Sequence, residues 1–175
     1  MKKISVFLLV FYCSFFLSGC DTTTPQKYFD VAVLNTNRIV GFAGTMMSRE
    51  LETTSTKADE KGQTMPMKRQ EVIDDYIQFA DEMLDRLDGF GKNEDAAAII
   101  SSSKALYSFM LPVYKKEYTE LAKLYDESAP KEKTVALDAQ IKEQYGPKFE
   151  ELYKDLISKG KLYAAKHKIA VNWAE

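Results

Sequence analysis

The stretch AAAIISSSKALYSFMLPVYKKEYTELAKLYDE, residues 96–127, repeats its apolar side chains every seven positions. Ile100, Tyr107, Tyr114 and Leu121 form one row; Ile99, Leu106 and Val113 form a second; Leu111, Tyr118 and Tyr125 form a third. Seven residues are close to two turns of an α-helix, so each row runs along one line of the helix surface. Three such rows make a face broader than the seam of a coiled coil, which suits a helix packed inside a bundle. Asn93 is placed to cap the start, with Glu94 and Asp95 in the first turn where acids suit the helix dipole. The spacing therefore predicts a helix from Asn93 to about Glu127. Pro112 lies inside it and removes one backbone hydrogen bond, which predicts a kink there.

Working outward, the other segments repeat the theme. From Pro25 to about Thr54, Phe29, Thr36 and Ala43 form one row, Ala32, Ile39 and Met46 the next, and Val33, Val40 and Met47 a third. Thr24 can cap this helix, and Pro25 at its first position sacrifices no needed N–H. Gly41 and Gly44 weaken it. TSTKADEKGQTMP (54–66) is polar, holds Gly62, ends in Pro66 and reads as a loop. A second helix is expected from about Met67 to Asp88, on the steps of three and four between Ile73, Tyr76, Ala80, Met83 and Leu87, with Gly89 as a left-handed terminator. ESAP (127–130), with Ser128 or Ala129 as the cap, precedes a last helical region from 131 to about 172, which YGP (145–147) should bend or split. No strand pattern competes. Four helical patterns with short or medium connections predict an all-α fold, an antiparallel up-down-up-down four-helix bundle with kinked third and fourth helices, in one domain over 25–175.

The first twenty residues read differently. Met1, Lys2 and Lys3 open a positive start, ISVFLLVFYCSFFL (4–17) is apolar, and Ser18, Gly19 and Cys20 follow directly. That run is short for a membrane span, which needs about 20 apolar residues, and is proportioned like the apolar region of an export signal. In order and spacing, LSGC (17–20) resembles the lipobox of bacterial lipoproteins. The resemblance implies that residues 1–19 are a cleaved signal peptide, that a diacylglyceryl group is joined to the Cys20 thiol, and that the new amine can carry a further acyl chain. It covers residues 1–20 only. Two or three acyl chains anchor stably, since each buried CH₂ contributes about 0.8 kcal/mol. Cys13 leaves with the signal, so the mature chain keeps no free thiol and no disulfide. Residues 20–24 are then the lipidated cysteine and a tether that holds the domain within roughly 10–12 Å of the lipid surface. Asp21 resembles the signal that keeps some lipoproteins in the inner membrane; inner and outer membrane both stay open.

Removing residues 1–19 takes away two lysines and no acid, leaving 22 basic and 26 acidic side chains and a formal charge of −4. An acidic body is poorly suited to wrapping nucleic acid. The motifs of several chemistries are missing. The one histidine, His167, has Ala164 three residues before it, so no Glu-x-x-His di-iron motif exists. Structural zinc lacks its cysteines and histidines. There is no GxxxxGK phosphate loop and no Gly-x-Ser-x-Gly elbow. His167 reads first as a residue at the end of the last helix, where a protonated ring suits the dipole.

Two groups remain as candidates. Tyr107, Tyr114, Tyr118 and Tyr125 lie along one side of the third helix. Their rings suit a core with hydroxyls at its margin, and equally a groove for an amphipathic or aromatic ligand or a partner helix. Glu50 and Glu117 fall on or beside apolar rows, where a carboxylate needs a partner, and Arg38 is one candidate. The expected function is that of a lipid-anchored envelope protein. Its bundle would serve as an interaction or accessory module for another envelope or membrane protein, with no catalytic centre, metal or cofactor beyond the covalent lipid. The alternative is a binding module for a small amphipathic or aromatic molecule held between Tyr/Met-rich helices. A carboxylate enzyme would require several of Asp30, Glu50, Glu117 and His167 to gather in one cleft.

Overall fold

The computed structural model describes residues 23–53 and 55–173. The stretch expected to be an export signal (1–19), Cys20 and Asp21 lie outside the described residues. The body is mostly helical, as expected, with one small sheet.

The first predicted helix is broken. Helix α1 covers Pro25–Ala32, a 3₁₀ segment follows over Leu34–Ile39, and α2 resumes at Thr45–Glu52. Thr24 caps α1 as expected, its Oγ1 accepting the Lys27 N–H at 3.3 Å, with Pro25 in the first turn. The interruption has local causes. Asn35, Thr36 and Asn37 are residues whose side chains compete for backbone groups, and the Thr36 hydroxyl donates to the Val33 carbonyl at 2.6 Å. Gly41 sits so close to Met46 that a Cβ there would come within 2.9 Å of the Met46 Cβ. Ala43 takes a left-handed conformation, φ 48°. Most of the apolar rows still go inside: Phe29, Ala32, Val33, Thr36, Ile39, Ala43 and Met47 are buried, and Phe42 and Leu51 join them. Val40 and Met46, expected on the inner face, are instead 42% and 61% exposed, because the helical period does not carry across the break.

The predicted loop contains a hairpin. Strands β1 (Thr56–Ala58) and β2 (Thr64–Pro66) pair antiparallel, with Lys57 opposite Met65. Asp59 Oδ1 accepts the N–H groups of Lys61 and Gln63, and Gly62 supplies the positive φ of 76°. This is turn chemistry that reads as loop when the flanking strands are three residues long. Lys57 then pairs with Glu71 in the first turn of α3 (Arg69–Gly89), which ties the hairpin to that helix.

Helix α3 matches its expected span within two residues. Its terminator differs: Phe90 is the cap, and Gly91, not Gly89, takes the left-handed conformation, φ 60°. The third helix runs as α4 (Ala97–Val113), a π-helical turn (Tyr114–Tyr118) and α5 (Thr119–Asp126). The start differs from the expected Asn93 cap: Asn93 accepts the Ala96 N–H at 2.9 Å in a turn that leads into α4, and Ala96 itself is the N-cap, with no side-chain hydrogen bond. Where the sequence predicts a kink at Pro112, the residue lies inside α4 and the π turn begins two residues after it. The Tyr114 carbonyl accepts the Thr119 N–H, the wider bond of that turn, and also the Thr119 hydroxyl at 3.0 Å. Ser128 is left-handed, φ 54°, and Pro130 precedes the start of α6 (Lys131–His167). Helix α6 runs through Gly146 and Pro147 as one helix, so the chain is not split there. A single missing hydrogen bond is a small loss in 37 residues.

Helix α3 packs against α4 and α5, and α6 against α4 and α5. The N-terminus of α3 meets the C-terminus of α5: Asp126 accepts the Arg69 and Gln70 N–H groups at 2.9 and 3.0 Å, a carboxylate placed on the positive end of a helix dipole. At the far end of α3, the Phe90 ring lies 4.6 Å from Tyr28 of α1, and Trp173 of the C-terminal tail lies 5.9 Å from Phe29.

Candidate functional site

The tyrosine row is divided by the structure. Tyr107, Tyr114 and Tyr118 are 0%, 0% and 1% exposed, whereas Tyr125 is half-buried at the edge of the core. Tyr114 stacks on Tyr76 of α3 at 5.3 Å and lies 5.4 Å from Tyr118. Phe42, from the broken N-terminal segment, meets Tyr114 edge-on at 5.3 Å, Tyr118 at 5.7 Å and Phe149 of α6 at 5.1 Å. Tyr107 faces Phe79 at 6.1 Å. These are the tilted and offset geometries that aromatic pairs favour.

The hydroxyls differ more than the rings. Tyr118 Oη accepts the Ala43 N–H at 2.9 Å, across 75 positions of sequence, and so satisfies the backbone of the strained loop. Tyr76 donates to Glu50 Oε2 at 2.7 Å, and Tyr145 to Glu117 Oε1 at 3.0 Å. The hydroxyls of Tyr107, Tyr114 and Ser103 are buried with no hydrogen-bond partner. Burial pushes the phenols of Tyr76, Tyr107, Tyr114 and Tyr118 well above their usual range; at Tyr76 the Glu50 carboxylate adds to it.

Glu50 and Glu117 therefore have partners, but each has its own, on α3 and α6 respectively. Arg38 is the partner of neither. Its guanidinium lies over Phe79 at 4.6 Å and Tyr76 at 5.7 Å, a pair of cation–π contacts. Asp30 accepts from Gln26 at 2.6 Å. His167 is the last residue of α6; its Nε2 is 2.6 Å from Asp95 Oδ2 and its ring 4.4 Å from Tyr163. Thus Asp30, Glu50, Glu117 and His167 go to four different partners and not to one cleft. Tyr125 lines a shallow groove of about 380 Å³ with Glu52, Thr134 and Val135.

Two polar ties escape a reading of apolar rows. Ser102 donates to Asp155 Oδ2 at 2.6 Å and accepts from Lys159 Nζ at 2.7 Å; Lys159 also reaches Asp155 at 2.7 Å. Ser48 donates to Asp138 Oδ1 at 2.9 Å, and Lys142 holds Asp138 at 2.6 Å. Both use an Asp-x-x-x-Lys pair on α6, DAQIK (138–142) and DLISK (155–159), which receives a serine from α2 or α4. The repeated pair is legible in the sequence; its serine is not. Lys159 and then Ser102 hold the Asp155 carboxyl below the usual range. A carboxylate so stabilised is a weak base, and an ammonium so paired is a poor one, so Ser102 is fastened rather than activated.

Among the described residues no group of three or more His, Cys, Asp or Glu side chains is placed to hold a metal ion, and no helix is long and apolar enough to cross a membrane. Family models, curated proteins and solved structures give no match to this chain.

Proposed function

We propose that this chain is a lipid-anchored protein of the bacterial envelope whose helical body acts as an interaction or accessory module for a neighbouring envelope or membrane protein. The single observation that carries this reading from the structure is the burial of Tyr107, Tyr114 and Tyr118. The side chains best suited to grip a ligand are taken up in packing, so recognition falls to the outer surface. The anchor comes from the resemblance of LSGC (17–20) to a lipobox, with Cys20 as the acylated residue. We read the body as an antiparallel up-down-up-down bundle whose first member is the broken segment from α1 to α2. The reversals at Arg69–Asp126 and at Phe90–Tyr28 support that path. The test is site-specific photocrosslinking in the native host from exposed positions such as Leu162 and Val135. A discrete adduct with an envelope protein, lost in Cys20→Ala, is expected. The absence of any adduct from a well-expressed, folded chain would contradict it.

A second reading has its own observation. The buried hydroxyls of Tyr107, Tyr114 and Ser103 lack partners, and a small polar aromatic molecule between α3 and α4 would supply them. Native mass spectrometry of the protein released from its host membrane decides the point. A stoichiometric small-molecule adduct favours this reading, and a bare chain mass removes it.

A further inference from the structure

The end of the body that carries the tether has a composition of its own. An open groove of about 460 Å³ lies between the start of α1 and the end of α3, lined by Thr23, Lys27, Val31, Arg86, Gly89 and Phe90. It contains two cations and no acid. Lys27 pairs with no acid among the described residues, and Arg86 has only its helical neighbour Glu82 at 2.9 Å, both of them about half exposed. Such exposed pairs are weak and yield readily to a better anion. Of the acids next to its lining residues in sequence, Asp88 pairs with Lys104 at 2.5 Å, Asp30 accepts from Gln26 at 2.6 Å, and Asp85 lines a separate groove on α3 with Asp74, Asp81 and Glu82.

Covalent geometry fixes where this groove must be. Thr23 lines it, and Thr23 is only three positions from Cys20. A fully extended chain of that length spans roughly 11 Å. Resting on the proposed acylation of Cys20, we infer that this groove seats the phosphate of an anionic membrane lipid, so that the body stands with the α1/α3 end on the headgroups. The ammonium of Lys27 and the guanidinium of Arg86 face the phosphate, and Phe90 and Val31 lie against the glycerol and upper acyl region. Basic side chains held at an anionic surface each gain from its potential, within a Debye length of it. The anchor supplies the proximity, and the groove supplies the orientation. The opposite end, with the hairpin and the α5–α6 turn, then points away from the bilayer and is the face open to a partner.

The test uses the full, acylated protein in vesicles. Once Cys13 is removed and Cys20 acylated, an introduced cysteine is the sole free thiol. Gly89→Cys adds a side chain into open space at the groove, and Glu132→Cys places one on exposed α6 at the other end. Each is labelled with a fluorophore and exposed to headgroup-nitroxide lipid in phosphatidylglycerol–phosphatidylethanolamine vesicles and in phosphatidylcholine vesicles. Expected is quenching at 89 several-fold stronger than at 132, stronger in the anionic vesicles, and reduced to the phosphatidylcholine level by Lys27→Glu with Arg86→Glu but not by Lys131→Glu with Lys133→Glu. Equal quenching at both ends, or quenching at 89 indifferent to lipid charge and to the groove reversal, overturns the inference while leaving the anchor intact. A chain that does not float with the vesicles overturns the anchor, and this inference with it.

Discussion

Two regions of this molecule carry the same sequence pattern and fold differently. Residues 25–52 and residues 97–126 each show three apolar rows at a seven-residue interval. The later one remains helical from end to end despite Pro112, absorbing the disturbance in one π turn. The earlier one breaks into α1, a 3₁₀ segment and α2, with Ala43 left-handed between them. The period of the apolar residues says which face goes inside. It does not say whether the backbone hydrogen bonds continue. That depends on what competes with them: an Asn-Thr-Asn run and two glycines in the first region, and only one missing N–H in the second. The two regions are also coupled, since Tyr118 of the π turn satisfies the Ala43 N–H.

The coupling can be broken from its heavier side. Tyr114→Ala, in the middle of the aromatic cluster, is expected to cost about 3–5 kcal/mol, in line with removal of other fully buried aromatics; chemical denaturation measures it, and a loss under about 1 kcal/mol would show that the cluster is not a packed core. The hydroxyls sharpen the contrast. Tyr118→Phe strands the buried Ala43 N–H and should cost about 1–3 kcal/mol. Tyr114→Phe removes an unpartnered hydroxyl from the same row and should be neutral or stabilising. Equal losses in the two variants would contradict the pairing. Smaller again is Ala43→Gly, which relieves a left-handed alanine at some entropic expense in the unfolded chain. The net is a gain of no more than about 1 kcal/mol, visible as a raised denaturation midpoint.

How much of this was legible follows from what each signal measures. Burial was readable nearly everywhere, because apolar rows report transfer from water: Phe29, Ile39, Ile73, Met83, Leu106 and Leu121 are all in the core. The Thr24 cap was readable because it needs only one side chain at one offset; the same signal at Asn93 marked the turn before α4 rather than its cap. The break at 33–44, the hairpin at 56–66 and the continuity of α6 through Pro147 were not. None of them shows in the apolar period: the break follows from local competition for backbone groups and the close approach of Gly41 to Met46, the hairpin is held by the Lys57–Glu71 pair, and α6 continues because one missing hydrogen bond is outweighed over 37 residues. The candidate site was half legible. The tyrosine row was visible, but not that Tyr125 would part from the other three, nor that Arg38 would choose aromatic rings over a carboxylate.

The smallest expected effects are those of pH, and they again separate the regions. The raised phenols of Tyr107, Tyr114 and Tyr118 favour the folded state in their neutral form. Their contribution is complete below the ordinary tyrosine value near 10 and is lost as pH rises above it toward the folded values. Phenolate absorbance should therefore appear in two stages, exposed tyrosines first and the buried three only with unfolding. On the acid side, Asp155 is held low by Lys159 and Ser102. Its contribution is present above the ordinary carboxylate value near 4 and is lost as pH falls through the lowered one, so Asp155→Asn should flatten the acid limb of a stability–pH curve without moving the alkaline one.

The claim on which the functional account turns is chemical and local to residue 20. Intact-mass and N-terminal peptide analysis of the protein extracted from membranes of its own host tests it directly. The account predicts a chain beginning at Cys20 and carrying a diacylglyceryl thioether. A membrane-extracted chain that keeps residues 1–19, or one whose Cys20 thiol is free, would contradict it.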